Sequence, residues 1–208
     1  MFTTPVWDLD ESKILTRREL ATVLRAPAQT ASQRRNRIIV RLACCCGLRV
    51  SEIAALRMDD VVVGVPRPHL RLRRETTKGK RPRNVPLWWD AGTLAELGAW
   101  KAQRAEDGAG DHDPFVCSVQ SNRYGESLQR AALRRRFLSA CKVLGADRLR
   151  KLTIHHGRHT FISHALAGGR TLAEVRAAAG HSNVAVTSAY LHIVVDDQES
   201  VGSLFLGS

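Results

Sequence analysis

Apolar residues along the chain fall into two spacings, one near the helical period and one of two, and the switch between them marks the elements. LTRRELATVLRA (residues 15–26) opens with Thr16 three positions before Glu19, a reciprocal capping pattern that starts a helix. SQRRNRIIVRLACCCGL (32–48) is basic at its start and apolar later, and Gly47 ends it, which predicts a second helix. Ser51 opens a third, short helix over 51–61 with apolar Ile53, Leu56 and Met58. HLRLRRE (69–75) alternates, RNVPL (83–87) has strand-like content, and the basic turn TTKGKRP lies between them, so a β-hairpin with a cationic tip is expected. A helix follows over 91–105, then the loop EDGAGDHDP. The next helix, 126–145, sets Leu128, Ala132, Leu133, Phe137 and Cys141 against an arginine-rich opposite side. Three helices, at about 154–167, 171–180 and 183–192, close the chain. The pattern is mainly α with a small antiparallel β-sheet or hairpin, without internal repeats.

At 208 residues the chain is long enough for one main domain with a substantial core. It holds no apolar run long enough to span a bilayer, and MFTTPVWDLDES lacks the basic and apolar regions of a secretion signal, so a cytoplasmic location is expected. The five cysteines, three of them consecutive at Cys44, Cys45 and Cys46, have neither zinc-ligand nor disulfide spacing and read as reduced core residues. Charge changes the picture more. Lys and Arg number 32 against 20 acidic residues, a net +12, and the excess is clustered, which favours nucleic acid as a partner over an anionic membrane or a merely solvated surface.

Four short segments carry candidate chemistry. GLRVSE places Arg49 and Glu52 at a helix junction, TTKGKRPRNVPL places Lys78 at the hairpin tip, HHGRHT places His155 and Arg158 one turn apart, and GHSNVAVTSAY places His181 nine residues before Tyr190. In this order and spacing, from about Leu15 to His192, the chain resembles the catalytic domain of the tyrosine recombinase (phage integrase) family. The resemblance implies an α+β catalytic-domain fold over 15–195, with 1–14 as a short lead and 196–208 as a tail. It implies double-stranded DNA as partner, strand cleavage and rejoining through a 3′-phosphotyrosyl bond, no cofactor, and a homotetramer on synapsed DNA that can be a monomer when free. It places the nucleophile at Tyr190, the two arginines at Arg49 and Arg158, the histidines at His155 and His181, the lysine at Lys78 and the acidic residue at Glu52.

The chemistry needs these residue types. Two guanidiniums donate fixed hydrogen bonds to charge developing on a phosphodiester's non-bridging oxygens. A phenol titrating near ~10 needs its proton drawn off, for which His155 is the first candidate. The leaving 5′-oxygen needs a proton, which Lys78, or alternatively Lys80, supplies. His181 donates to the phosphate and Glu52 orients Arg49 or His155. Lys80, Arg81, Arg83 and Arg73 are expected to bind DNA. His155, His159 and His164 invite a zinc site, but HHGRH lacks the glutamate of the metalloprotease pattern, so no metal is expected. His156 and His159 read as packing residues, and Tyr124 as structural.

Two features depart from the family pattern. Only about a dozen residues precede LTRREL, where family members usually carry a separate core-binding domain; a minimal recombinase, an excised domain and a DNA-binding remnant are all compatible, as is a type IB topoisomerase-like relaxing activity. Gly157 stands where the family has a bulky aliphatic residue, costs about 1 kcal/mol relative to alanine, and predicts a less firmly held Arg158. In the tail, Val201, Leu204, Phe205 and Leu206 form an apolar end expected to be covered, either by folding back on its own domain or, as the resemblance implies, by docking in trans on a neighbouring protomer.

Overall fold

The computed structural model describes residues 11–77, 81–181, 183–188 and 190. Lys78, Lys80, the 196–208 tail with Phe205, and most of the 1–14 lead therefore lie outside the described residues.

The capping pattern at Thr16 is realised: its hydroxyl accepts from the Glu19 N–H at 3.1 Å and the Glu19 carboxylate accepts from the Thr16 N–H at 2.8 Å, starting α1 (Arg17–Arg25). Thr30 and Gln33 repeat the device at the start of α2 (Ala31–Val40). The predicted second helix does not stay α-helical to Gly47. Its apolar half, Arg41–Cys45, widens into a π-turn, a local expansion often found at functional sites. All five cysteines are buried and none is in a disulfide.

A short helix α3 (Val50–Ala55) leads to a three-stranded antiparallel sheet, β1 (Val61–Val62), β2 (His69–Leu72) and β3 (Arg83–Pro86), in the order β1-β2-β3. The predicted hairpin is its second half, with Leu70 opposite Val85 and Leu72 opposite Arg83. Leu70, Leu72 and Val85 are buried while Arg71 faces out, as the alternation required. β1 was missed because a strand of only two residues has no period to detect.

Next come α4 (Ala91–Glu106) and α5 (Arg130–Ala140). The helix expected over 126–145 ends at Ala140 in a 3-10 turn and yields to α6 (Ala146–Lys151), the break falling at Gly145 with φ +87°. The last helices among the described residues are α7 (Ile154–Ala167), α8 (Leu172–Ala179) and α9 (Val184–Ser188). None of the described helices is long and apolar enough to cross a membrane.

Two cores result. The larger joins α1, α2, the sheet, α4 and α5 around residues such as Leu42, Ile53, Leu70, Phe115 and Phe137. The smaller gathers Trp89, Phe161, Ile162, Val175 and Ala178 from α7, α8 and their surroundings, and Tyr190 belongs to it. Between them α7 lies along the π-turn, and Gly157 is the reason it can: a Cβ there would sit 2.7 Å from Ala43 Cβ and 3.1 Å from Cys44 Sγ. The glycine thus seats the helix against the small side chains of ACCC. The segment before α1 is tied to α7 and α6, since the Leu15 N–H donates to Thr160 Oγ1 at 2.9 Å and Arg148 donates to the Ile14 carbonyl at 2.7 Å.

Candidate active site

Arg158 emerges one turn into α7 and is 4% exposed. One amino group donates to the Gly47 carbonyl at 2.8 Å and the other to the Ala179 carbonyl, the last of α8. A helix C-terminus carries unpaired carbonyls and partial negative charge, so a guanidinium there is held by geometry and field together. Burial, and then the neighbouring Arg49, bring the Arg158 pKa down to about 9. It still carries its charge at neutral pH. Gly157 therefore does the opposite of what its helix propensity suggested: by closing α7 onto the π-turn it brings Arg158 within reach of Gly47.

Arg49 precedes α3, and Glu52 accepts from both its backbone N–H at 2.8 Å and its guanidinium at 3.1 Å. Glu52 is 1% exposed. Burial pushes its carboxyl up, but hydrogen bonds and charge from Arg83 and then Arg49 outweigh that and hold it below the ordinary carboxylate range. The expected pairing of Glu52 with Arg49 is present.

His181 follows the left-handed Gly180 that ends α8, and its Nδ1 lies 2.9 Å from the Thr187 hydroxyl of α9. Its pKa falls to about 4 through burial and the charges of Arg158, Arg49 and Arg83. His155 is exposed on α7, and burial of part of its ring, with Arg158 and Arg49, lowers its pKa too. Burial leads the downward shifts at Arg158, His155 and His181, and mutual charge adds to it, because four segments distant in sequence converge here with Glu52 as the carboxylate that pairs Arg49 and Arg83.

Tyr190 is 3% exposed, its ring in the smaller core. Its hydroxyl hydrogen-bonds not to His155 but to His159 Nδ1, and the two rings stack at 5.8 Å. His159 had been read as packing. Its role was visible in the spacing, since positions 155 and 159 share a helix face, but only the fold shows what that face meets. His155 packs edge-on against His159 at 5.1 Å. Burial lifts the Tyr190 pKa to about 12, partly opposed by Arg158, and burial with the neighbouring His155 and His156 lowers that of His159 to about 4. The phenol is thus protonated and the imidazole neutral at pH 7. His156 takes a capping position instead, its Nδ1 3.4 Å from the Thr153 N–H. Tyr124 bonds Asp107 under the Arg104 guanidinium, on a different part of the surface.

Two residues expected at DNA go elsewhere. Arg73 pairs with Asp60 at 3.2 Å and donates to the Ala55 carbonyl at 2.8 Å. Arg83 meets Glu52 with both amino groups at 2.9 Å and is 9% exposed at the side chain. Both turn back into the domain, where they supply counter-charge to the buried carboxylates of Asp60 and Glu52. Arg81 is exposed at the base of the β2–β3 connection.

Arg49, Arg158 and His181 thus lie near one another, with Glu52 and Arg83 behind them and the buried Tyr190 beside Arg158. The chain belongs to the phage integrase family, whose model matches residues 13–196. It is 30% identical over 161 residues to tyrosine recombinase XerC of Mycobacterium tuberculosis, covering 77% of this chain and 50% of that one. Over 187 residues it is 29% identical to tyrosine recombinase XerD of Pseudomonas putida, covering 87% and 57%. The chain thus spans about half the length of the curated relatives it matches. Among solved structures, the XerA recombinase superposes with a TM-score of 0.69 at 23% identity, covering 91% of this chain and 61% of that one. A λ integrase dimer bound to a COC′ core site gives 0.62 at 20%, covering 85% and 47%. The fold is that of tyrosine recombinase catalytic domains, mainly helical with a small antiparallel sheet.

Proposed function

We propose that the chain is the catalytic part of a site-specific DNA recombinase, cleaving and rejoining strands through Tyr190. One observation carries it: the Tyr190 hydroxyl is held by His159 one residue from Arg158, at the edge of the Arg49–Arg158–His181 recess. Arg49 and Arg158 take the two non-bridging oxygens of the scissile phosphate and His181 donates to one of them. The phenol oxygen attacks phosphorus, the bond to the 5′-oxygen breaks, and Lys78 protonates the leaving oxygen. The ester's energy is kept in the 3′-phosphotyrosyl bond, so the reverse step needs no other energy source. The phenol proton passes to His159, with His155 beside it nearer the phosphate.

Free of DNA, this transfer is unfavourable, because the phenol is raised to about 12 and His159 lowered to about 4. A bound phosphate anion offsets the Arg158 charge, which favours protonated His159 but also raises the phenol, so attack depends on the phosphate placing phosphorus at the hydroxyl rather than on the anion closing this gap. The duplex recognised on either side of the site, and a tetramer assembled on two synapsed duplexes from monomers in solution, belong to the same proposal; recombinases bound to DNA share this fold.

The test is covalent capture. A pool of nicked 40-base-pair duplexes with randomised cores should yield a denaturant-stable protein–DNA adduct that Tyr190→Phe does not form, since phenylalanine removes only the attacking oxygen. An adduct that persists in Tyr190→Phe overturns the assignment. With a 5′-phosphorothiolate, whose sulfur leaves unprotonated, Lys78→Ala should recover cleavage; no recovery makes Lys78 a phosphate contact.

A further inference from the structure

Arg83 stands at the start of β3, 31 positions from Glu52 and 95 from Ala178, yet touches both. Its Nη1 and Nη2 donate to the two oxygens of Glu52, each at 2.9 Å, and its Nε donates to the Ala178 carbonyl at 2.8 Å. A planar guanidinium offers this fork-and-side geometry, and lysine cannot reproduce it. Glu52 in turn grips Arg49 through backbone and side chain. The next carbonyl along α8, that of Ala179, accepts from Arg158. Gly180 leaves room for the arrangement: a Cβ there would come within 2.9 Å of Arg83 Cδ, Nε and Nη1. His181 follows directly.

We infer that Arg83 is a positioning residue that fixes Arg49, through Glu52, and the α8 terminus carrying the Arg158 acceptor and His181, into one phosphate cradle, and that it does not itself contact DNA. The inference deepens the proposed function and rests on it for what the cradle holds. A second consequence is electrostatic. With Arg83 in place Glu52 is shared between two guanidiniums, so Arg49 keeps hydrogen-bonding capacity for a phosphate; without it Glu52 has Arg49 alone and pulls it back. Arg83 also begins the strand that follows the β2–β3 connection, so the same anchor sets one end of the segment bearing Lys78.

Three measurements on wild type, Arg83→Lys and Arg83→Met separate the possibilities. The first is affinity for a fluorescein-labelled 30-base-pair mixed-sequence duplex as a function of salt. A lost phosphate contact lowers the log–log slope by about 0.9; a positioning residue leaves the slope unchanged. The second is amide hydrogen exchange without DNA. Exchange in segments 49–56 and 176–181 should accelerate about tenfold in Arg83→Met, less in Arg83→Lys, with the remainder unchanged. The third is adduct formation with the nicked duplex pool at saturating DNA, expected to fall about 10- to 100-fold in Arg83→Met and to be partly restored in Arg83→Lys. A reduced salt slope with unchanged exchange makes Arg83 a phosphate contact and overturns the inference. So does acceleration spread over the whole chain, which marks a general structural role. Should wild type form no adduct, the nucleophile assignment fails, while the salt slope and the exchange of the two segments still decide the place of Arg83.

Discussion

The two halves of the site are built in opposite ways. Arg49, Arg158 and Arg83 are each held by acceptors of the protein, Glu52 and the carbonyls of Gly47, Ala178 and Ala179, so the cationic half is assembled before any substrate arrives. Tyr190, by contrast, lies in an apolar cluster with its pKa raised to about 12, its hydroxyl satisfied by a neutral imidazole. A cradle for charge gains from rigidity, because fixed dipoles need no reorganisation as the transition state forms. Tyr190, as the proposed nucleophile, gains from restraint until substrate is present. The contrast teaches that the proposed binding and attack are set by different physics: buried hydrogen bonds for the arginines, and burial for the phenol.

The comparison breaks first at Arg158. Arg158→Ala removes a donor to the phosphate and leaves the Gly47 and Ala179 carbonyls without their partner, so adduct formation should fall by at least about 10²–10³. Arg158→Lys keeps the charge but cannot reach both carbonyls, and should recover less than a tenth of the rate. Recovery to near the wild-type rate in the lysine variant would show that charge alone is needed and that the prebuilt geometry is not.

A middle-sized effect is expected at Gly157, which seats α7. Helix propensity alone predicts that Gly157→Ala stabilises by about 1 kcal/mol. The contact of a new Cβ with Ala43 at 2.7 Å predicts the reverse sign, about 1–3 kcal/mol of destabilisation from overpacking. Thermal melts of the two proteins decide between them, and a higher melting temperature in Gly157→Ala would show that the helix is not packed tightly against the π-turn.

The smallest effect concerns pH. His159 and His181 titrate at about 4 in the fold against an ordinary value of 6.5, so between these values the unfolded chain binds more protons than the folded one. The stability they contribute is complete above about 6.5 and is lost progressively as pH falls toward about 4. Wild type should therefore lose melting temperature from pH 7 to 4.5 more steeply than His159→Gln, which cannot take up the proton. Parallel pH profiles would mean that His159 titrates near its ordinary value and that the tyrosine half is more open to water than its burial indicates.

Much of this was legible in the order of residues. The reciprocal cap at Thr16, the alternation of Leu70 and Leu72, and the three short segments with Arg49, Arg158, and His181 and Tyr190 are local patterns, and local patterns follow from helix and strand periods and from hydrogen bonds between near neighbours. The pairing of Arg49 with Glu52 is of this kind, since three positions on a helix start place them together. What the sequence could not specify is which long-range acceptor each arginine would find. Arg83 and Arg73 look alike in a basic hairpin, and only the packing of α3 and α8 against the sheet turned one toward Glu52 and Ala178 and the other toward Asp60. His155 and His159 share a helix face, and only the place of Tyr190 in the smaller core selected the second. Gly157 read as a weakness until α7 met the π-turn. Gly157 is a matter of steric fit, and for the arginines and histidines the physical reason is shared: charge and ring positions are chosen by the cost of leaving a buried polar group unpaired, and in every case what becomes buried is a property of the assembled helices and strands, not of any one of them.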